Sequence, residues 1–185
     1  PDPDMALNHL ESFFAVQGSW EAFQAFARQN PAMVKVLTSV FANSEYFSRM
    51  LIRSTPLLQD LLDSGRSGLG APALMRADLE AALARAEGIS EKLDALRRFK
   101  HREEVRIGMA DLRSQVPLTA VCRGLSRLAE ACLSSALALA AAEMGKRYGS
   151  GERISGIAVI GAGKLGGREL SYGSDLDILF VFSEE

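Results

Sequence analysis

Apolar residues follow helical spacing over most of the chain, and this pattern changes only near the end of the sequence. Up to about residue 147, apolar side chains recur every three or four positions, as in amphipathic helices. Two short runs rich in isoleucine, valine and phenylalanine follow, at 157–160 and Ile178–Phe182, and they are typical of buried strands. The pattern predicts a mainly α protein, with a helical bundle over residues 1–150 and the first strands of an α/β domain over residues 151–185.

Start signals divide the helical part into separate helices. Five starts are predicted where an acceptor side chain or a proline precedes an apolar run, and they are Asp2-Pro3, Ser19, Asn30-Pro31, Ser44 and Thr55-Pro56. Three longer helices are predicted at about 72–87, 90–114 and 117–147. Glycines and serines over residues 64–72 indicate a linker between the two helical sets.

Composition and charge narrow the class of protein. A formal net charge of −2 gives no reason to expect nucleic acid or an anionic membrane as a partner. Cys122 and Cys132 are expected to be buried thiols, which fits a reducing cytosol. The first residues carry no basic signal-peptide region, and the longest uncharged apolar stretch of the helical part, 131–142, is too short to cross a bilayer. These features predict a cytoplasmic protein.

The aromatic and basic clusters of the helical part have structural interpretations. Eight of the thirteen aromatic residues precede Arg49, which predicts a packed aromatic core, because no cationic groove accompanies them as base stacking would require. The basic run 97–102 is interpreted as a solvated helix face partly paired with Glu103 and Glu104; contact with nucleotide phosphates or an acidic partner is the alternative. His9 and His101 are expected to be surface or interhelical residues.

The residues between the two strands carry the candidate chemistry. On an extended strand Asp175 and Asp177 project to the same side, whereas Leu176 and Ile178 face the core. Their Cα atoms are then roughly 6–7 Å apart, so the two carboxylates can converge on a divalent cation. Hard oxygen ligands suit Mg²⁺, which also binds substrate phosphates. The glycines between the strands allow the backbone to approach a phosphate closely.

A dinucleotide-binding turn is the alternative for these glycines, because residues 161–166, GAGKLG, match G-x-G-x-x-G directly after a strand. That fingerprint opens a helix of about a dozen residues before the next strand. Here only residues 167–173 precede Ser174, which leaves room for a short helical turn. The spacing therefore favours antiparallel pairing of the two strands over a parallel crossover.

Residues 161–180, GAGKLGGRELSYGSDLDILF, resemble the active-site signature of the glutamine synthetase adenylyltransferase family, within the polymerase-β-like nucleotidyltransferases. More loosely, residues 96–112, LRRFKHREEVRIGMADL, and residues 2–14, DPDMALNHLESFF, are similar to helical segments of that family. The resemblance implies a palm domain and transfer of AMP from ATP to a tyrosine hydroxyl of glutamine synthetase, with a second half of the full protein removing it. It also implies glutamine synthetase and a PII-type nitrogen signal protein as partners.

The resemblance further assigns site residues. Asp175 and Asp177 are then the catalytic, metal-binding pair, with Mg²⁺ as the cofactor, and ATP is the substrate. The nucleotide-binding candidates are Lys164, Gly166, Gly167 and Ser174; for Lys164 a solvated side chain is an equal alternative.

The site as the resemblance describes it needs more than this chain contains. Enzymes of this type add a third carboxylate from a later strand, and the upstream acids Asp111 and Glu130 have no spacing that brings them to the strands. We therefore expect these 185 residues alone to be inactive. Residues 171–174, SYGS, favour the AMP-attaching, C-terminal half over the removing half, whose form is Asn-Phe-Ser-Ser. The removing half, and a helical interaction module with a nucleotide-binding end, are the alternatives.

Overall fold

Helices occupy the described part of the chain up to residue 148, and a small sheet follows. The computed structural model describes residues 1–17, 20–54, 69–112, 116–148 and 156–182. These residues form α1 (Pro3–Gln17), α2 (Trp20–Gln29), α3 (Pro31–Asn43), α4 (Glu45–Arg53), α5 (Pro72–Ala84), α6 (Gly88–Leu112), α7 (Leu118–Tyr148), β1 (Ile157–Gly161), the one-turn helix α8 (Gly163–Gly166) and β2 (Ile178–Phe182). The predicted order of a helical region followed by two strands is confirmed, while the assignment of these strands to a palm domain stays a prediction.

The predicted start signals begin several of these helices. Asp2 accepts hydrogen bonds from the N–H groups two and three residues further on, both at 3.0 Å. Ser44 accepts from the N–H group three residues on at 3.3 Å. The bounds of α5, α6 and α7 differ from the predicted ones by at most three residues. The helix predicted at Thr55-Pro56 lies outside the described residues.

The first buried cluster joins α1, α3, α4 and α6. Its members are Ala6, Phe13, Leu37, Val40, Phe41, Phe47, Leu51 and Val105. The rings of Phe13 and Phe41 lie 5.8 Å apart, and partly buried aromatic side chains of α1 and α2 pack around them. The predicted aromatic core is confirmed. His9 bridges helices within it, with Nδ1 at 3.2 Å from the carbonyl oxygen of Phe41 and Nε2 at 2.8 Å from Glu45.

The second buried cluster joins α5, α6 and α7 to the residues that connect the two strands. Its members are Met75, Leu79, Phe99, Ile107, Val121, Leu125, Leu128, Ala131, Leu165 and Leu170. Leu69, in the predicted linker, packs against the same cluster, and Gly70 lies against Arg106. The connection between β1 and β2 is therefore anchored on the helices.

Helix α6 buries three charged side chains, which are paired. Lys100 lies 2.6 Å from Glu104, whose other oxygen accepts a hydrogen bond from Tyr46 at 2.8 Å. Arg106 donates to Glu103 through Nε at 2.9 Å. Buried charges are stable only when paired in this way. Within the basic run 97–102, Lys100 thus pairs with Glu104 and Arg102 lies 3.6 Å from Glu103, as the sequence indicates.

Helix α7 has the length and hydropathy of a membrane span, with a mean hydropathy of 1.3 over 18 residues. Its first half supplies four residues to the second cluster, so this half packs inside the helical region. Cys122 and Cys132 on α7 are free thiols, as predicted, but both are only partly buried; this burial raises the pKa of Cys132 to about 11.

β1 and β2 pair antiparallel, with Ile157 opposite Phe182 and Gly161 opposite Ile178. One further bond extends the ladder, from the N–H of Ala162 to the carbonyl of Asp177 at 2.8 Å. Antiparallel pairing is confirmed, and the short connection through α8 rules out a dinucleotide-binding crossover. Most side chains of β2 are exposed, up to 69% for Phe182.

The residues before β2 differ from the prediction. β2 begins at Ile178, so Asp175 and Asp177 precede the strand and do not lie on it. Leu176, predicted to face the core, is 39% exposed, whereas Ile178 packs against the second cluster as expected. The reason is topological: the chain leaves β1 for α8 after Ala162, so residues 174–176 have no part of β1 opposite them.

Candidate functional site

Glycines allow the one-turn helix α8 to pack closely against the end of β1. A Cβ atom on Gly166 would lie 2.7 Å from the carbonyl oxygen of Gly161. A Cβ atom on Gly161 would lie 2.9 Å from Cγ of Leu165, the side chain that anchors α8 in the second cluster. At Gly167 the nearest atoms are 3.6 Å away, an ordinary contact. Gly161 and Gly166 are therefore required by packing, and Gly167 is not.

Gly166→Ala is expected to destabilise the unit formed by β1 and α8, because the added methyl group would overlap the carbonyl oxygen of Gly161. Overpacking typically costs about 1–3 kcal/mol. Thermal unfolding, together with hydrogen exchange of the β1 amides, would measure the loss. Gly167→Ala is the matched control, since its φ of −77° and open surroundings suit alanine. Equal losses in the two variants would contradict this account.

Helix α8 ends in a pattern that usually carries a glycine. The N–H of Glu169 donates to the carbonyl of Lys164 at 2.8 Å, and the N–H of Arg168 donates to that of Leu165 at 3.1 Å. These bonds form a Schellman motif, in which Arg168 takes the left-handed position with φ of 57°. This conformation costs a residue with a Cβ atom about 1 kcal/mol or more. The Arg168 side chain lies 3.4 Å from Glu130 on α7.

The N–H groups of Gly166 and Gly167 are used inside the turn. They donate to the carbonyls of Ala162 at 2.9 Å and Gly163 at 3.0 Å. Both residues were predicted to bind nucleotide. In this geometry their contribution would be the absence of a side chain, which allows a ligand to approach, while their amides stabilise α8.

Ser174, predicted to contact a phosphate, closes a tight turn. Its N–H donates to the carbonyl of Ser171 at 3.2 Å, and its Oγ accepts from the N–H of Ser171, also at 3.2 Å. The two hydroxyl oxygens lie 2.7 Å apart. Gly173 between them has φ of 68°, a conformation that favours glycine. The turn fixes the Ser174 hydroxyl directly before Asp175, and its contact with phosphate stays a prediction.

The carboxylate of Asp177 lies against the Cα atom of Gly163, where α8 begins. Gly163 has φ of 51°, and a side chain there would occupy the space taken by Oδ2 of Asp177. Lys164 follows directly, with an exposed side chain, and Asp175 is exposed as well. The fold therefore brings Asp177 to the start of the glycine turn, as the sequence pattern suggested. Gly163 was not among the predicted site residues, although it is the second glycine of the pattern.

Comparison with known proteins identifies the family. Residues 34–185 match the sequence model of the glutamate-ammonia ligase adenylyltransferase family, which is most of the chain. The chain belongs to this family. The resemblance inferred from the signature is confirmed.

Relatives within the adenylyltransferase family carry one name, bifunctional glutamine synthetase adenylyltransferase/adenylyl-removing enzyme. The protein from Chromobacterium violaceum is 36% identical over 188 residues, covering 100% of this chain and 21% of its own length. The protein from Mycobacterium marinum is 36% identical over 192 residues, covering 98% and 18%. That from Hahella chejuensis is 35% identical over 171 residues, covering 86% and 18%. The chain thus spans about one fifth of the length of these enzymes.

The two acids of the adenylyltransferase signature fit a divalent cation. Asp175 and Asp177 are exposed, and across the described ranges neither forms an ion pair with a lysine or arginine. Carboxylate oxygens are the donors that Mg²⁺ prefers. Within the same ranges no group of three or more histidine, cysteine, aspartate or glutamate side chains could hold a metal. Binding of Mg²⁺ by this pair stays a prediction.

Sequence spacing missed the helix residues that hold the signature. Asp111 accepts a hydrogen bond from Tyr172 at 3.0 Å, and Glu130 pairs with Arg168. The sequence gives no spacing that brings either acid to the strands, because their positions on α6 and α7 give no local indication of the contact. The contacts become visible only once the second cluster is packed, because this cluster brings α6 and α7 against the connection between the strands.

Proposed function

We propose that the protein transfers AMP from ATP to a tyrosine hydroxyl of glutamine synthetase, and that residues 161–177 form part of its nucleotide site. The observation that carries the proposal is the position of the Asp177 carboxylate against Gly163, at the start of a turn that depends on glycine. Family membership supports the same chemistry. A negatively charged side chain beside a side-chain-free turn is suited to a metal-bound phosphate.

In this function the residues of the loop have different roles. Asp175 and Asp177 would hold Mg²⁺ through their carboxylate oxygens; when bound, Mg²⁺ stabilises the attacking and leaving oxygens of the transfer. Lys164, exposed on α8, offers a cation to a phosphate oxygen, and Ser174 offers a hydroxyl donor. The tyrosyl oxygen of glutamine synthetase loses its proton to water and forms a bond to the α-phosphorus of ATP, while the bond from that phosphorus to pyrophosphate breaks.

We also propose that this chain belongs to the attaching half of the full-length protein. The Ser-Tyr-Gly-Ser form of residues 171–174 supports this assignment, because it is closer to the form of the attaching half than to the Asn-Phe-Ser-Ser form of the removing half. A partner in glutamine synthetase follows from the function. We further propose a PII-type nitrogen signal protein as a second partner and the cytoplasm as the location of the protein.

Labelled ATP tests the function and the half together. Full-length protein, glutamine synthetase, Mg²⁺ and ATP labelled at the α-phosphate should yield labelled glutamine synthetase, and Asp175→Asn should abolish that label. The same variant should still remove AMP from glutamine synthetase that already carries it. Loss of removal with attachment intact would assign the chain to the removing half.

ATP titration and labelling together separate the two enzymatic halves from a helical interaction module with a nucleotide-binding end. The wild-type protein should bind ATP in the presence of Mg²⁺ and more weakly in its absence, and Asp175→Asn should reduce that difference. Wild-type protein that binds ATP but does not label glutamine synthetase would favour the module, and wild-type protein that does neither would favour a purely structural loop.

A further inference from the structure

Tyr172 is the one side chain of the described residues that packs against both buried clusters. Its ring lies 4.9 Å from the ring of Phe47 at 79°, an edge-to-face contact, and 6.4 Å from the ring of Tyr46. Phe47 is itself fixed, because its ring fills the space over Gly108 where a side chain would otherwise be. The ring of Tyr172 is thus held between α4 and the two clusters.

The hydroxyl group of Tyr172 is also fixed. It donates to Oδ2 of Asp111 on α6 at 3.0 Å. Burial, the Asp111 charge and this hydrogen bond raise the pKa of Tyr172 far above its ordinary value, with smaller effects from Cys122 and Glu104. The hydroxyl therefore stays protonated at neutral pH and remains a donor to a carboxylate, a stronger hydrogen bond than one between neutral groups.

The two acids proposed to bind the metal lie three and five residues from this anchor, and Asp177 is also held by the hydrogen bond from the N–H of Ala162 to its carbonyl. Asp175, Leu176 and Asp177 are all exposed. Between Leu170 and Ile178, Tyr172 makes side-chain contacts to α4 and α6, whereas the carboxylate of Asp177 lies against Gly163 of α8. The turn at Ser174 joins it rigidly to Asp175.

We propose that Tyr172 and Asp111 are positioning residues for nucleotidyl transfer: their hydrogen bond holds residues 171–177, and with them Asp175 and Asp177, in the productive geometry. The proposal rests on the function proposed above. Misplacement of catalytic groups by about 1 Å can cost a hundredfold in rate, so a hydrogen bond remote from the reacting atoms can limit turnover.

The structure offers a matched control in Tyr46, whose ring packs beside that of Tyr172. Tyr46 on α4 also donates its hydroxyl to a carboxylate of α6, Glu104, at 2.8 Å, and burial likewise raises its pKa. Both bonds are partly buried and both join another segment to α6. Only the bond from Tyr172 starts in the loop that carries the acids. Removing either hydroxyl should lower the free energy of unfolding by a comparable amount, while only removal of the Tyr172 hydroxyl should disturb the loop that carries Asp175 and Asp177.

The experiment compares Tyr172→Phe with Tyr46→Phe in the full-length protein. Tyr172→Phe keeps the ring and should lower kcat for AMP attachment about tenfold or more with a smaller change in KM for glutamine synthetase. Hydrogen exchange of the amides of residues 171–177 should accelerate in this variant. Tyr46→Phe should change neither quantity. Wild-type kcat and wild-type exchange in Tyr172→Phe would overturn the proposal, as would equal changes in the two variants.

Substitutions at Asp111 complete the test. Asp111→Asn keeps an acceptor oxygen and should retain most of kcat, whereas Asp111→Leu should match Tyr172→Phe. The double variant Tyr172→Phe with Asp111→Leu should be no slower than the slower single variant, because the two changes remove the same bond. Additive losses would overturn the proposal. Failure of the proposed function would appear differently, as absence of attachment by the wild type, and the exchange comparison would still decide the positioning role.

Discussion

Asp177→Asn in the full-length protein is expected to lower the rate of AMP attachment to glutamine synthetase at least about a hundredfold, the scale on which loss of one well-placed electrostatic group slows an enzyme. The carboxylate lies against Gly163 at the start of α8 and pairs with no cation in the described part of the chain. Its charge is therefore available to a metal. Asparagine keeps the shape and removes the charge, so the fold should persist.

Initial rates with labelled ATP over a range of Mg²⁺ concentrations would measure this effect, with circular dichroism as the check on folding. Glu169→Gln is the control, because it removes another carboxylate from the same loop. The part of Glu169 that takes part in the Schellman motif is its backbone N–H, which the substitution keeps. It should retain wild-type turnover. Near wild-type turnover by Asp177→Asn would exclude the proposed metal role of this residue, and Asp175→Asn is expected to behave like Asp177→Asn.

Residues 1–185 by themselves are expected to attach no measurable AMP. Transfer requires a metal site, an ordered triphosphate and an oriented hydroxyl, and most of its acceleration comes from positioning and electrostatics. The described residues provide two loop acids and no group of three that could hold a metal. They also leave most side chains of β2 exposed, and exposed apolar strands favour pairing with other chains.

Parallel assays of this segment and of a version extended through the rest of the domain would test the expectation. Both should show the far-ultraviolet circular dichroism of a helical protein, and only the extended version should label glutamine synthetase. Comparable labelling would show that two carboxylates and the glycine turn suffice. Size-exclusion chromatography should also show more self-association for the shorter chain.

Local chemistry determined the parts of the fold that the sequence predicted. The β-branched and aromatic runs became β1 and β2, and seven residues between Gly166 and Ser174 were too few for a crossover. The caps at Asp2 and Ser44 act within three residues along the chain. Each of these features depends on neighbours in sequence, which is why the pattern of the chain was enough.

The features of the structure that the sequence did not predict depend on residues far apart in the chain, or on positions where two local preferences conflict. Tyr172 and Asp111 are separated by 61 positions, so no local spacing links them. Strand alternation placed Leu176 in the core, but the ladder stops at Asp177 and leaves it exposed. At the end of α8 the left-handed position went to Arg168, one residue after a pair of glycines that would adopt it more easily.

The burial of Leu165 and Leu170 limits how short a catalytic segment can be if it is to be exchanged between related proteins. Both side chains pack on α5, α6 and α7, and the polar contacts of the same loop also end on α6 and α7. A chimaera joined at residue 150 would set the loop of one protein on the helix surfaces of another. A junction before Pro72 would carry the loop together with α5, α6 and α7, and would divide it from the ring contacts of Tyr172 with α4. Recombination among these enzymes should therefore tolerate crossovers ahead of α5 far better than crossovers beside the first strand.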